Sequence, residues 1–417
     1  EFAAANPGIA AASEALAGFE ARLSEARRAL LPQGTLSALV APAPQVECRP
    51  SEALCLQTNS AEFSPTDVAG VYTRLDVKLA QPLYTFGKLS GVRRAAEAGV
   101  DVGRAQLGIS QAQIAYDVHR AYHGLKLARE ILFTIEEGQE YVHKVSKRID
   151  EQLDSGKGDA TETDRLRLRV FEAELEGRIV EARRGADVAL AALRMLATGA
   201  PRDFDIDEAP LAPIDVSVRP LDHYLDLARR NRPEVKALDA ALRARRAAED
   251  IEWARFWPDL ALVAQLAWGR APTVDDPDNF FANDPFNTVS GGVAALLSMQ
   301  LDHPLKLARY RRAEAETREM EAKRRQAFDA IDLDIKRVHA ELVEARARME
   351  ATKRGEKAAR SWLVSTYQNL MLGLVEPKEL TDALLAFFTL RLRYLQSVYD
   401  LNTGAAALGR AIGASIR

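Results

Sequence analysis

The sequence LDVKLAQPLYTFG at residues 75–87 gives the strongest indication of the fold, and a related junction, LSMQLDHPLKLAR, follows at residues 297–309. In each junction, a strand-like alternation of apolar and polar residues runs into a proline and then into a long helical pattern. Proline lacks a backbone donor and has a fixed φ, so Pro82 and Pro304 suit the boundary where a strand ladder ends. The two junctions indicate that the chain contains two copies of one plan.

The run before Pro82 has a period of two, which is typical of a β-strand with one apolar and one polar face. The apolar set is Val71, Thr73, Leu75, Val77 and Leu79, and the set between them is Tyr72, Arg74, Asp76, Lys78 and Ala80. The corresponding apolar set in the second half is Val293, Ala295, Leu297, Met299 and Leu301. Each strand is long enough to cross a membrane when tilted, which takes roughly 9–11 residues. The alternative is an ordinary half-buried strand in a soluble sandwich.

A proline-free helical pattern with heptad-like apolar spacing follows each junction, and it predicts packed, supercoiled helices. In the first half the spaced residues are Ile114, Val118, Ala121, Leu125, Ala128 and Leu132. In the second half they are Ile331, Ile335, Val338, Leu342 and Ala345. A helix of about 65 residues would be about 100 Å long, which is too long for an ordinary globular domain.

Each long helix is predicted to turn at a glycine-containing stretch, LDSGKGDATETD at residues 153–164 and LMLGLVEPKELTD at residues 370–382. Glycine supports the positive φ that ends a helix. We therefore expect a first repeat at 1–200, with a helix, a strand pair at 35–82 and a helical hairpin at 87–199. A proline-rich linker follows at 201–230. The second repeat at 231–417 has a helix, a strand pair at 259–304 and a hairpin at 305–413.

The composition excludes several classes of protein. A formal net charge of −4 over 417 residues offers no basis for nucleic-acid binding, and no apolar run is long enough for a transmembrane helix. The opening EFAAANPG lacks the basic start and apolar core of a signal peptide, so we expect a mature or trimmed form. The two cysteines, Cys48 and Cys55, are either a disulfide or two free thiols, and cysteine avoidance elsewhere favours the disulfide.

The junctions QPLYTFG and HPL, the helix openings NP and RPE, and the turn GLVEPKELTDAL together resemble TolC-type outer-membrane efflux and secretion channels over essentially the full chain. The resemblance implies a mainly α fold with a small β part. Three chains would form a twelve-stranded β-barrel in outer-membrane lipid and an α-helical tunnel of coiled-coil hairpins in the periplasm. It also implies a periplasmic adaptor protein and an inner-membrane RND or ABC transporter as partners, in multidrug efflux or type I secretion.

The resemblance also implies functional residues at the helix turns. Adaptor docking would involve the tip residues Gly156, Gly158, Gly373, Leu374 and Val375. A periplasmic gate would involve the acids Glu379, Asp382 and Asp164, with Glu162 replacing Asp164 if Gly156 is the turn glycine. The alternative is that these acids are ordinary first-turn residues that favour a helix start. The family's closing tyrosine and arginine correspond here to Leu370 and Val375, and Tyr367 is a substitute one helical turn earlier.

No residue pattern indicates catalysis. His119 and His123 share a helix face, but no cysteine or carboxylate completes a metal set, and the glycines of GKG do not form a phosphate loop. We therefore expect a passive conduit without cofactor or metal. A soluble coiled-coil scaffold or tethering protein is the alternative from another class, although a scaffold needs no membrane-length strands. A periplasmic adaptor subunit ranks lower, because adaptors carry one hairpin and a lipoyl-like module.

Overall fold

The computed structural model describes residues 5–44, 68–156, 160–201, 203–274, 284, 286–372 and 374–414. The first five elements are α1 (Pro7–Arg28), β1 (Gln33–Pro44), β2 (Val68–Tyr84), α2 (Lys88–Ser155) and α3 (Glu162–Leu196). After α4 (Leu221–Asn231) the same order returns, as α5 (Pro233–Ala254), β3 (Asp259–Arg270), β4 (Thr288–Ser298), α6 (His303–Met371) and α7 (Pro377–Ile412). The described chain is therefore mainly helical with four strands, which confirms the predicted fold class.

Two predicted strand ends differ from the structure. Pro82 lies inside β2, which continues to Tyr84, because β1 pairs only as far as Ala80 and leaves one edge of β2 free beyond that residue. A proline is tolerated there because no donor is needed on a free edge. In the second half, β4 ends at Ser298, so Met299 and Leu301 lie beyond the strand.

The four strands form one antiparallel sheet in the order β1-β2-β3-β4. The pairing of β2 with β3 joins the two halves of the chain and places Leu75 opposite Trp268. Directly paired residues share a face, so this face of the sheet is apolar, from Leu36 on β1 through Leu75 and Leu266 to Val293 on β4. Arg74, Asp76 and Lys78 lie on the opposite face.

A tight turn at residues 85–87 converts β2 into α2. Phe86 and Gly87 both have positive φ, 49° and 101°, a region that residues other than glycine rarely adopt. The ring of Phe86 is stacked on Trp257 at 5.8 Å and lies edge-on to Tyr84 at 4.6 Å. The hydroxyl of Thr85 accepts a hydrogen bond from the Leu89 amide at 3.3 Å and so satisfies a free donor of the first helical turn.

The contacts divide the chain into two compact units. Unit 2 comprises Gly18–Val100 and Ala241–Glu321 and contains the sheet. Its helices are linked by charge pairs such as Arg94–Asp250 and Arg245–Glu316. The predicted division into two repeats and a linker crosses these units and stays a prediction.

Unit 1 comprises Glu1–Ala17, Asp101–Ala240 and Ala322–Arg417, and it has two apolar clusters. One cluster surrounds Leu384 and the other surrounds Leu342, and both leucines are fully buried. All five residues of the predicted second-half heptad pattern are buried: Ile331, Ile335, Val338, Leu342 and Ala345. The second-half spacing therefore identified buried residues correctly, whereas only Leu125 and Ala128 of the first-half set are buried.

The linker between α3 and α4 packs onto unit 1 through polar anchors. Asn402, only 1% exposed, accepts a hydrogen bond from the Ile214 amide and donates one to the Ala212 carbonyl. Lys126 donates to the Ala209 carbonyl and pairs with Asp207 at 2.7 Å. Burial opposes the charge of Lys126, yet the hydrogen bond to Asp207 leaves the pKa of Lys126 above its usual value. The same bond lowers the pKa of Asp207.

No helix in the described ranges is both long and apolar enough to cross a membrane.

Candidate functional site

The turn between α6 and α7 combines a buried apolar side with an exposed acidic side. Val375 packs against the apolar cluster around Leu384, whereas the neighbouring Leu374 is 69% exposed. The Leu374 amide donates to the Asn369 carbonyl at 2.9 Å, which closes the end of α6. Met371 and Leu372 are also exposed, and a group of exposed apolar side chains at one turn is suited to contact with another protein.

The predicted acids of this turn lie on the first turns of α7. Glu376 is the N-cap, without a side-chain capping bond, and Pro377 follows at the first helical position. Glu379 and Asp382 are both exposed and three residues apart, so they share one face of α7. With only Lys378 as a nearby positive charge in the sequence, this turn is acidic overall.

The turn between α2 and α3 uses its acid differently. Asp164 is 8% exposed, and its Oδ2 accepts hydrogen bonds from the Thr161 amide at 3.0 Å and the Thr161 hydroxyl at 2.6 Å. The Thr161 hydroxyl accepts in return from the Asp164 amide, which completes a capping box. The neighbouring Glu162 is exposed and pairs with Arg165. The carboxylate of Asp164 therefore stabilises its own helix start, and its assignment to the gate stays a prediction.

Arg148 of α2 joins the two helical hairpins near these turns, and the sequence did not indicate it. Its Nη1 lies 3.1 Å from Met371 Sδ, and its Nη2 donates to the Leu370 carbonyl at 3.4 Å. This carbonyl is one of the unsatisfied acceptors at the end of α6. Tyr367, the predicted substitute for the family's closing residue, lies edge-on to Tyr141 of α2 at 6.1 Å. These contacts join residues more than two hundred positions apart, so local sequence patterns carry no signal for them.

Four predicted site residues lie outside the described residues, namely Gly158, Gly373, Cys48 and Cys55. Gly156 is described: it has a φ of 61°, and no atom lies within 4 Å of the position that a Cβ would take. Its backbone suits the end of α2, as glycine at that place predicts. Among the described side chains, no group of three or more His, Cys, Asp and Glu could hold a metal ion.

Comparison with known proteins agrees with this architecture. The family described as outer membrane efflux protein matches residues 224–414. Protein CyaE of Bordetella pertussis is 29% identical over 346 residues, which cover 81% of this chain and 70% of CyaE. Among solved structures, the outer membrane protein VceC of Vibrio cholerae has a TM-score of 0.79 at 17% identity, over 100% of this chain and 95% of VceC. The CmeC outer membrane channel of Campylobacter jejuni has a TM-score of 0.78 at 14% identity, over 99% and 84%.

The four-stranded sheet and paired long helices are the fold of these outer-membrane channels, which agrees with the resemblance to TolC-type channels. The second half of the chain carries the outer membrane efflux protein domain. The chain is therefore an exit-duct protein of the outer membrane, and the predicted localisation is confirmed.

Proposed function

We propose that three copies of this chain assemble into a passive duct across the outer membrane and the periplasm. The duct would export substrates delivered by the inner-membrane transporter of a tripartite multidrug efflux pump or of a type I secretion system. The chain itself would supply neither energy nor catalysis. The transporter would determine what is carried.

The main support is the sheet. Among the described residues it has one apolar face and two free edges, along β1 and β4, because the strand order is β1-β2-β3-β4. Free edges in lipid leave backbone donors and acceptors unpaired, at a cost of several kcal/mol per group. Four strands are too few to close a barrel, whereas β1 of one copy can pair with β4 of the next. Three copies would give the twelve strands of the predicted barrel.

The helix turns support a gate at the periplasmic entrance. Glu379 and Asp382 share an exposed face, so a three-fold axis near α7 would place six carboxylates around one aperture. Such a ring favours cations and binds divalent ions. The exposed Leu374 beside it is suited to contact a periplasmic adaptor protein. Arg148 would hold the two hairpins of one chain together at this end. Adaptor docking would separate the hairpins and break the contacts that Arg148 makes.

The first test is the molar mass in detergent, measured by light scattering. A trimer of about 138 kDa, three times the 45.9 kDa of one chain, is expected, with precipitation after the detergent is removed. A monomer or dimer that stays soluble without detergent would favour the coiled-coil scaffold instead. Channel formation by the same preparation in planar bilayers separates a duct from a membrane-bound scaffold.

The second test concerns the gate. Replacing both Glu379 and Asp382 with alanine is expected to weaken cation selectivity and block by divalent cations. The matched control is Glu176→Ala, which removes an exposed acid of α3 outside the turn. If the double variant keeps wild-type selectivity, or if the control changes it equally, the gate assignment fails while the duct proposal stands.

A further inference from the structure

The polar face of the sheet carries a charge that the proposed duct does not yet explain. The charged residues of the four strands are Arg74, Asp76, Lys78, Asp259 and Arg270. Arg270 is paired with Thr73 and therefore lies on the apolar face, at one end of β3. The other four lie on the polar face.

Two of the cations on or beside this face are neutralised. Arg74 pairs with Asp76 through Nε at 2.8 Å and Nη2 at 3.0 Å, which is a bidentate arrangement within one strand. Asp259, at the start of β3, pairs with Lys88 at 2.8 Å. Within the described part of the chain, Lys78 is exposed and takes part in no ion pair. Asp76 interacts electrostatically with Lys78 as well, but it is already paired with Arg74, so the Arg74–Asp76–Lys78 set keeps a net charge of one positive unit on the polar face.

The cross-strand neighbours of Lys78 can bind anions, and none of them is an acid. Thr35 of β1 and Gln265 of β3 lie directly opposite Lys78 on its two sides, and Gly292 of β4 lies opposite Gln265. Directly opposite residues are about 5 Å apart, so a hydroxyl, an ammonium and an amide form one row. Thr35 and Gln265 are exposed and have side-chain donors to offer. Gly292 has no side chain to cover the row.

We propose that this Thr35–Lys78–Gln265 row is an anion-binding ring in the wall of the duct, which interacts with phosphate or carboxylate groups of the passing substrate. The inference rests on the proposed function, because the ring requires three sheets closed with their apolar faces toward lipid. Three-fold symmetry then places three copies of Lys78 at one height in the lumen. No other uncompensated charge lies on this face in the described strands, so Lys78 determines its electrostatic sign.

The influence of Lys78 on the ratio of anion to cation permeability depends on how strongly salt screens its charge. At 0.1 M salt the Debye length is about 10 Å, so three exposed ammonium groups change the ratio of anion to cation permeability by about two- to threefold. At 1 M salt the Debye length is about 3 Å, and the effect is expected to vanish. Multivalent anions respond more strongly, because each added charge contributes to the attraction.

The experiment measures reversal potentials of purified channels in bilayers under a KCl gradient centred on 0.1 M, and block by tripolyphosphate. Lys78→Gln is expected to lower the anion-to-cation permeability ratio about two- to threefold and to weaken tripolyphosphate block. Lys78→Glu is expected to lower the ratio further, and Gln265→Lys to raise it. The matched control, Lys353→Gln, removes an exposed lysine of α6 and is expected to leave both readouts unchanged.

Variants that conduct like wild type but keep its selectivity and its block would overturn the ring, while the duct proposal would survive. A control that shifts selectivity as much as Lys78→Gln would also overturn it. Absence of any channel from the wild-type protein would overturn both proposals.

Discussion

Gly138 of α2 offers the sharpest test of how the helices of unit 1 pack. A Cβ added at this residue would lie 2.0 Å from Cζ of Phe388, and 2.6 and 2.9 Å from the two Cε atoms. The ring of Phe388 is 4% exposed and lies near Phe387 at 5.4 Å and Phe171 at 6.0 Å. To restore an ordinary contact of 3.4 Å, the ring has to move by about 1.4 Å into these neighbours.

The cost of overpacking at Gly138 can be separated from the gain in helix propensity by comparison with a second helical glycine. Gly177 lies inside α3, and no atom lies within 4 Å of the place where an added Cβ would stand, so Gly177→Ala is expected to stabilise the protein by up to about 1 kcal/mol. Gly138→Ala gains the same propensity but adds overpacking of about 1–3 kcal/mol. We therefore expect Gly138→Ala to be about 1–3 kcal/mol less stable than Gly177→Ala.

The assay is thermal unfolding of the detergent-purified protein at one scan rate, because large membrane proteins unfold irreversibly. Gly138→Ala is expected to have the lower apparent melting temperature of the two variants. In a Phe388→Leu background, which removes the clashing ring atoms, the difference between the two glycine variants is expected to shrink. Equal melting of both single variants would refute the close approach of α2 and α7 at this residue.

Two further predictions concern the linker and the histidine beside it. Asn402→Ala is expected to leave the Ile214 amide and the Ala212 carbonyl unpaired, which costs about 1–3 kcal/mol for each group. Limited proteolysis of residues 203–220 is therefore expected to be faster in this variant. The control is Gln396→Ala, which changes an exposed residue of α7, and equal cleavage of the two variants would count against the anchor. Burial, assisted by the charges of His119 and Lys126, lowers the pKa of His123 to about 4. Because the unfolded chain binds this proton more readily, stability is expected to decrease as the pH falls from about 6.5 towards 4, and His123→Gln to flatten that part of the urea-unfolding profile. An unchanged pH dependence in the variant would show that another group titrates.

Local patterns in the sequence were sufficient for the elements of the fold. The period of two at residues 71–80 and the 3.5-residue spacing from Ile331 to Ala345 each depend on which face of one element is buried, and that property is written along the chain. The same holds for the glycine turn at Gly156 and for the duplicated order of elements. Strand ends were less accurate, because Pro82 is tolerated inside β2 by the free edge that β1 leaves.

Which of these faces meet depends on contacts between distant parts of the chain, and the sequence patterns do not contain that information. The sequence identified Lys78 as one member of a charged face, but the register placed it between Thr35 and Gln265, and the one acid beside it on its strand, Asp76, is paired with Arg74. It gave no sign that the carboxylate of Asp164 completes a capping box with Thr161, and the gate assignment of Asp164 stays a prediction. Arg148 carried no signal at all. Pairing and capping depend on distances between elements far apart in sequence, and periodicity within one element does not contain that information.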